Sequence, residues 1–209
     1  MFLKVILFML LKTEVLNSYK KFFKRMVETM RIITGTARGR KLKTLEGNDV
    51  RPTTDKVKEA MFSAVQFQIP GACVLDLFAG SGQLGLEALS RGAEKAVFVD
   101  KSKASINVVT ENIASAEFND RSRVVYMDAA DFLKSDREKY DLVFLDPPYN
   151  LGILEKILPL LEERMNDGGK IICEHEQRLE LPDKIGRIYL KKKYKYGKIE
   201  ISQFIFDET

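Results

Sequence analysis

The stretch that decides the fold is Cys73-Val74-Leu75-Asp76-Leu77-Phe78-Ala79-Gly80-Ser81-Gly82-Gln83-Leu84-Gly85. An apolar run leads into a Gly-x-Gly-x-x-Gly loop, and a helical pattern follows it. Glycines let the backbone turn tightly and approach a ligand closely, and the helix N-terminus offers N–H groups that have no partner within the helix. A tight turn that binds nothing would use the same glycines, so both interpretations of the loop stay open at this point.

Apolar runs and helical stretches alternate beyond this loop. The predicted strands are 73–78, 96–100, 123–127, 141–146 and 170–174, and the predicted helices are 83–91, 102–117, 130–135 and 152–165, with a kink at Pro159 in the last. Runs without polar alternation, such as 142–145, are typical of parallel strands buried on both faces. Two extended stretches, 186–195 and 199–206, flank a Tyr-Gly-Lys turn and predict a hairpin. We therefore expect an open α/β sheet that is mostly parallel and ends in an antiparallel hairpin.

The chain before the loop is predicted to add smaller units to one domain that spans 30–209. Residues 30–50 are expected to form a basic hairpin, 51–69 a lid helix and 70–209 the catalytic core. Thr53 or Thr54 can cap the lid helix, and the macrodipole favours Asp55 in its first turn. For the extension 1–29, an amphipathic membrane-surface helix and sequence upstream of the true start both stay open.

Charge is distributed unevenly along the 209 residues. The extension holds six basic and two acidic residues, which accounts for the whole net charge of +4, so 30–209 are neutral overall. Two acid-free clusters remain, five basic residues in 31–43 and six in 187–198. Such clusters can contact the phosphates of a nucleic acid, although they are also common on solvated faces. The candidate RNA-binding residues are Arg38, Arg40, Lys41 and Lys43.

Composition excludes several classes of protein and site. Two cysteines in separate apolar runs and a single histidine argue against a disulfide scaffold and against a zinc site, so we expect no metal. The apolar run Val5–Leu11 is too short to span a bilayer. We expect a cytoplasmic protein without stable membrane association.

Three acidic residues follow predicted parallel strands. Asp76 ends the first, where it would repel a pyrophosphate but suit a cation such as the amino group and sulfonium of S-adenosylmethionine. Asp100 ends the second, where an acid can accept hydrogen bonds from ribose hydroxyls. Asp128 follows the third and could accept from an adenine amine or cap the helix 130–135, and the two interpretations weigh equally. The loop and Asp100 alone would also fit a nicotinamide oxidoreductase; Asp76 disfavours it.

Asp146-Pro147-Pro148-Tyr149 follows the fourth predicted strand. The prolines stiffen the turn and remove two N–H donors, which leaves the Asp146 carboxylate and the Pro147 carbonyl as acceptors beside an aromatic ring. This arrangement suits an exocyclic amine on a flat base: the two acceptors hold its N–H groups, and Tyr149 stacks on the ring. A paired base cannot present its amine in this way, so the base must be flipped out or already unpaired.

These motifs resemble one family. Asp146–Tyr149 resembles the catalytic motif of amino-methyltransferases acting on nucleic-acid bases, and Asp76–Gly82 looks like their cofactor loop. The chain from Met30 is similar to bacterial RsmD-type methyltransferases, which methylate guanine N2 in 16S ribosomal RNA. Further supporting stretches are Ile33–Leu42 (ITGTARGRKL) and Arg51–Glu59 (RPTTDKVKE). The resemblance implies a class I, Rossmann-like S-adenosylmethionine fold and, as partner, ribosomal RNA or a partly assembled small subunit. We expect a monomer.

The resemblance also assigns residues. Asp146, Pro147 and Tyr149 would be catalytic. The cofactor would be bound by the loop and strand-end residues Asp76, Phe78, Gly80, Gly82, Asp100 and Asp128 and, from the lid, by Arg51, Thr53 and Thr54. Gln83 departs from the pattern, in which a small residue is expected. Two alternatives remain: an adenine-N6 methyltransferase on RNA or DNA, and a non-catalytic RNA-binding assembly factor with the same fold.

Overall fold

The sheet is built from strands separated by helices in the order that the apolar runs predict. The computed structural model describes residues 30–45, 55–149 and 151–207. In these ranges the strands are β1 (Cys73–Asp76), β2 (Lys95–Asp100), β3 (Ser122–Tyr126), β4 (Tyr140–Leu145), β5 (Met165–Glu176), β6 (Lys184–Ile185), β7 (Ile188–Tyr196) and β8 (Ile199–Phe206). The α-helices are α1 (Asp55–Val65), α2 (Gln83–Ser90), α3 (Lys103–Ala116), α4 (Ala129–Ser135) and α5 (Leu154–Ile157).

The strands form one sheet in the order β3-β2-β1-β4-β5-β8-β7-β6. Strands β1 to β5 pair in parallel, and β8 is antiparallel to both β5 and β7. The predicted α/β sheet with an antiparallel C-terminal hairpin is therefore confirmed. Strand order reverses between β1 and β4, and in open α/β sheets ligands bind beyond the carboxyl ends of the strands at such a switch point.

Several predicted boundaries are wrong. Leu77 and Phe78 leave the first strand, and the Leu77 N–H donates to the Phe144 carbonyl. The predicted helix 152–165 is α-helical only over α5 and continues as a 3-10 helix, Leu158–Arg164, in which Pro159 lacks an N–H donor. Strand β5 begins at Met165, five residues before the predicted start, and the two-residue strand β6 was not predicted.

Apolar residues cover both faces of the sheet. On one face α1, α2 and α3 pack with Ile32 and Leu42 of the N-terminal segment, and on the other α4, α5 and the 3-10 helix pack. Coverage of both faces explains why the parallel strands lack polar alternation. No helix of the described residues is long and apolar enough to span a bilayer.

The N-terminal segment forms the short antiparallel pairing expected of the basic hairpin, through a bridge between Arg31 and Lys41. Its backbone is held on α2 by the buried Glu87, whose carboxylate accepts from the N–H groups of Ile33 (2.7 Å) and Thr34 (3.0 Å). Arg91 donates to the same carboxylate at 2.8 Å. The hairpin is therefore tied to the helix that follows the glycine loop.

The extension 1–29 and residues 46–54 lie outside the described residues, and with them the candidates Arg51, Thr53 and Thr54. The described part of the predicted lid helix is α1, which buries Val57, Met61, Phe62 and Val65 in the core. The division into extension, hairpin, lid and core stays a prediction.

Candidate active site

A cavity of about 690 Å³ opens where the parallel strands end. Its lining includes most of the residues predicted for the site: Asp76, Phe78, Gly80, Asp100, Asp128, Asp146, Pro147 and Tyr149. They come from the ends of four strands and the loops that follow them. Because parallel strands end at a common edge of the sheet, residues up to about 70 positions apart in the chain lie in this one cavity.

The glycine loop owes its sequence to backbone conformation and to packing. Gly80 and Gly82 have φ of 52° and 77°, a region that favours glycine. A Cβ at Gly82 would overlap the Val109 side chain of α3, and one at Gly85 would overlap the Phe98 ring of β2. Gly82 is not among the described residues that line the cavity. The contact of Gly82 with a cofactor stays a prediction. Its backbone conformation and its packing against Val109 require glycine in any case.

Asp76 lies at the bottom of this loop with only 2% of its surface exposed. Its Oδ2 accepts from the Gly85 N–H at 3.0 Å, so the carboxylate also caps the first turn of α2. Burial raises the pKa of Asp76 to about 7, the Gly85 hydrogen bond opposes that rise, and the nearby Asp100 charge adds to it. A cation placed beside Asp76 would favour its charged form.

Asp100 and Asp128 are both oriented by backbone donors. Asp100 accepts from the N–H groups of Gly80 (2.9 Å) and Ser102 (2.8 Å). Asp128 accepts from the Ala130 N–H at 2.9 Å and so caps α4. The capping interpretation of Asp128 is correct. Asp128 also lines the cavity, so a contact with an adenine amine is compatible with capping and stays a prediction.

Gln83 is a cavity residue that the sequence pattern did not indicate. Its Oε1 is buried and has no hydrogen-bond partner among the described residues. A buried acceptor without a partner in a cavity is typical of a site that takes a ligand with an N–H or O–H donor. The sequence signal was the presence of glutamine at a position where the family pattern has a small residue. With Asp76, this acceptor fits the ammonium group of S-adenosylmethionine.

The Asp-Pro-Pro-Tyr turn forms another part of the cavity wall. Asp146 and Tyr149 are half-buried and Pro147 is buried. The Tyr149 hydroxyl donates to Oε1 of Glu174 at 2.8 Å. Glu174 is 4% exposed, lies in β5 and also lines the cavity. Sequence analysis missed it, although an acid directly after the apolar run Ile171-Ile172-Cys173 was a signal.

The basic hairpin is partly neutralised by helix α3 and its C-cap residue. Arg40 pairs with Glu117 at 3.4 Å, and Lys43 pairs with Glu111. Arg38 and Lys41 are exposed and form no ion pair within the described ranges. The four candidate RNA-binding residues therefore differ in their surroundings. Although residues 31–43 contain no acid, two of their basic residues pair with acids from elsewhere in the chain.

In the described ranges, no group of three or more His, Cys, Asp or Glu side chains is arranged to hold a metal ion.

Comparison with known proteins agrees with this geometry. A family model described as Conserved hypothetical protein 95 matches residues 30–205. The YlbH protein of Bacillus subtilis is 40% identical over 173 residues, covering 80% of this chain and 94% of that protein. Ribosomal RNA small subunit methyltransferase D of Escherichia coli is 40% identical over 155 residues, covering 73% and 78%.

A solved structure, that of the yhhF protein of Escherichia coli, has a TM-score of 0.78 and 34% identity, covering 86% of this chain and 99% of that one. The range that the family model matches includes the glycine loop, the strand-end acids and the Asp-Pro-Pro-Tyr turn. The chain therefore belongs to the Conserved hypothetical protein 95 family, that of the RsmD-type methyltransferases.

Proposed function

We propose that this chain transfers a methyl group from S-adenosylmethionine to the exocyclic N2 of a guanine in small-subunit ribosomal RNA. The observation that carries the proposal is the meeting of Asp146 and Tyr149 with Asp76, Asp100 and Asp128 in one cavity. The name of the Escherichia coli relative supports methylation of small-subunit ribosomal RNA. The enzyme would act as a monomer in the cytoplasm, on free RNA or on a partly assembled subunit.

The cofactor supplies an electrophilic methyl group on a positively charged sulfur. Asp76 and Gln83 would hold its ammonium group, because both residues line the cavity and both carry side-chain acceptors. Asp100, already oriented by Gly80 and Ser102, would accept from the ribose hydroxyls. Asp128 would accept from the adenine amine. Phe78 and Gly80 line the same cavity and would also contact the cofactor. The cofactor contacts predicted for Arg51, Thr53 and Thr54 fall outside the described residues.

Asp146 and Pro147 would activate the base. A nucleobase amine is a weak nucleophile because its lone pair is delocalised into the ring. The Asp146 carboxylate and the Pro147 carbonyl would accept from its two N–H groups, turn the nitrogen lone pair toward the methyl group and stabilise the positive charge that develops. As the C–N bond forms, the C–S bond would break and S-adenosylhomocysteine would leave. The methylated nitrogen would then lose one proton, for which the Asp146 carboxylate is the acceptor. Stacking on Tyr149 would hold the base in place.

The direct test is transfer of label from S-adenosylmethionine to small ribosomal subunits or 16S ribosomal RNA from cells that lack this enzyme. We expect labelled N2-methylguanosine after nuclease digestion. Labelled N6-methyladenosine would contradict the proposal in favour of the adenine alternative. No transfer from a protein that binds both cofactor and RNA would favour the assembly factor.

Cofactor affinity is expected to depend on the ionisation of Asp76. Because its pKa is raised to about 7 by burial, the carboxyl is protonated below that pH and does not attract an ammonium group. Affinity for S-adenosylmethionine should therefore rise by up to about tenfold per pH unit toward pH 7 and then level off, with proton release on binding below pH 7. Calorimetry in buffers of different ionisation enthalpy measures both quantities.

Two controls accompany that measurement. Asp76→Asn should weaken binding and flatten the pH profile. Methylthioadenosine, which lacks the amino-acid part of the cofactor, should bind the unmodified protein with little pH dependence. A flat profile for S-adenosylmethionine itself would contradict the assignment of Asp76.

RNA binding should depend more on Arg38 and Lys41 than on their ion-paired neighbours. The double variant Arg38→Gln/Lys41→Gln is expected to weaken binding and to reduce the slope of log K against log salt by about 1.4 to 1.8, as for two lost phosphate contacts. Filter binding across a salt series measures this slope. The matched variant Arg40→Gln/Lys43→Gln should change it less, and equal effects of the two pairs would contradict the distinction.

A further inference from the structure

Asp146 and Glu174 occupy neighbouring positions at the edge of the sheet. Strands β4 and β5 are parallel, with Leu145 opposite Cys173. Asp146 directly follows β4 and Glu174 is the next residue of β5, so continuing the register by one position places the two acids beside each other, where adjacent strands are about 4.8 Å apart. Both line the cavity that holds the other site residues. Two carboxylates are therefore presented to one ligand, although only the first belongs to the Asp-Pro-Pro-Tyr motif.

Glu174 is more than a support for Tyr149. The tyrosine hydroxyl donates to Oε1. A carboxylate offers about four acceptor positions, so Glu174 can accept from Tyr149 and from a base at the same time. Glu174 also borders a second cavity of about 280 Å³, which shares Pro147 and Tyr149 with the first. The carboxylate is 4% exposed, so it is held in place, and the cavity beside it is where the proposed function brings the base.

The edge of guanine that carries N2 supplies two kinds of donor side by side, the amine and the ring N1–H. Adenine pairs its amine with a ring N1 that has no hydrogen and is an acceptor. An acceptor-only carboxylate next to the one that holds the amine therefore matches guanine and faces adenine N1 with a second acceptor. If the buried polar groups of a site pair with one base, they are left unpaired when the other base binds. The resulting loss of binding free energy discriminates strongly between the two bases.

We propose that Glu174 accepts the N1–H of the target guanine while Asp146 accepts from its N2 amine, so that Glu174 selects guanine over bases whose N1 lacks a hydrogen. This inference rests on the proposed function and assigns the base preference to a residue outside the Asp-Pro-Pro-Tyr motif.

The test replaces the methylated guanine, once mapped by labelled transfer, with 2-aminopurine in an RNA fragment. This base keeps the amine at position 2, but its N1 is an acceptor. The unmodified enzyme is expected to methylate it with kcat/KM about tenfold to a hundredfold lower than for guanine, the range of one charge-assisted hydrogen bond. Equal rates on the two bases would overturn the inference without the use of any variant.

Glu174→Gln supplies the second arm. Its amide can still accept from Tyr149, and its NH2 can donate to the N1 of 2-aminopurine. The variant should therefore lose rate on guanine and keep or gain rate on 2-aminopurine, so that the preference falls at least tenfold. Tyr149→Phe removes the hydroxyl and keeps the ring; it should lower both rates together and leave the ratio in place. Circular dichroism and cofactor affinity verify the fold of both variants.

The outcomes separate this inference from the proposal beneath it. N2-methylguanosine formed with an unchanged ratio in Glu174→Gln would overturn the role of Glu174 alone. If Tyr149→Phe changed the ratio of rates on guanine and 2-aminopurine as much as Glu174→Gln does, the orientation of the tyrosine ring would determine the discrimination. That result would also overturn the role of Glu174. If the unmodified enzyme forms no N2-methylguanosine, the proposed function fails first and this inference with it.

Discussion

Replacement of Asp146 by Asn should lower kcat for methyl transfer by about 10²–10³-fold, the cost of removing one preorganised group that stabilises developing charge. The amide is nearly isosteric, but it carries no charge and can turn its NH2 group toward the amine of the base. Asp146 lies beyond β4, whereas the acids proposed for the cofactor follow β1, β2 and β3. The affinity for S-adenosylmethionine should therefore change little. Single-turnover transfer and calorimetry measure the two quantities separately.

Asp131→Asn is the matched control for Asp146. It removes the same charge from the exposed first turn of α4, and Asp131 does not line the cavity. Transfer by this variant should stay close to that of the unmodified enzyme. If Asp146→Asn were as active as Asp131→Asn, the Asp-Pro-Pro-Tyr turn would not activate the amine.

Glu87→Ala should lower the free energy of unfolding by about 3–5 kcal/mol, the usual cost of breaking a buried charge pair by removing one partner. The substitution leaves the N–H groups of Ile33 and Thr34 without an acceptor and leaves Arg91 without its ion pair. Urea unfolding followed by circular dichroism measures the loss. Because the hairpin docks through these bonds, we also expect it to become protease-sensitive at lower urea than the sheet.

Glu111→Ala provides the comparison. Glu111 also joins the N-terminal hairpin to a helix, through Lys43, but both side chains of that pair are more than half exposed. Exposed pairs contribute about 0–1 kcal/mol, so this variant should be close to the unmodified protein in stability. Similar losses in the two variants would contradict the importance that we give to burial at Glu87.

Most of the sheet could be predicted from the sequence because parallel strands buried on both faces leave long apolar runs. The predictions failed where partners distant in the chain decide the outcome. Residues 165–169 contain two glycines and no apolar run, yet they join β5 because Met165 pairs with Tyr140 of β4, across a register shift from the next pair, Leu142 and Lys170. The 3-10 helix Leu158–Arg164 has the periodicity of an α-helix, and Pro159 alone marked the difference.

The strand-end acids could be placed because topology alone brings the carboxyl ends of parallel strands together. Glu174 was missed because β5 continues past it to Glu176, whereas Asp76 and Asp100 end their strands. Glu87 was missed because its spacing in α2 is that of an ordinary surface acid. It is buried only by a hairpin more than 50 residues earlier in the sequence, a tertiary effect that leaves no local pattern.

The position of β8 has a consequence for synthesis of the protein. This strand is the last of the described strands in sequence, yet it lies inside the sheet between β5 and β7. During translation, β5 can pair with β4 and β7 with β6, but the edge that each of them offers to β8 stays unpaired until residues 199–206 have left the ribosome. Until then their unpaired backbone edges, next to the wall of the cavity at Glu174, are open to pairing with other chains. Completion of the sheet, and with it of the active cavity, therefore has to follow synthesis of residues 199–206.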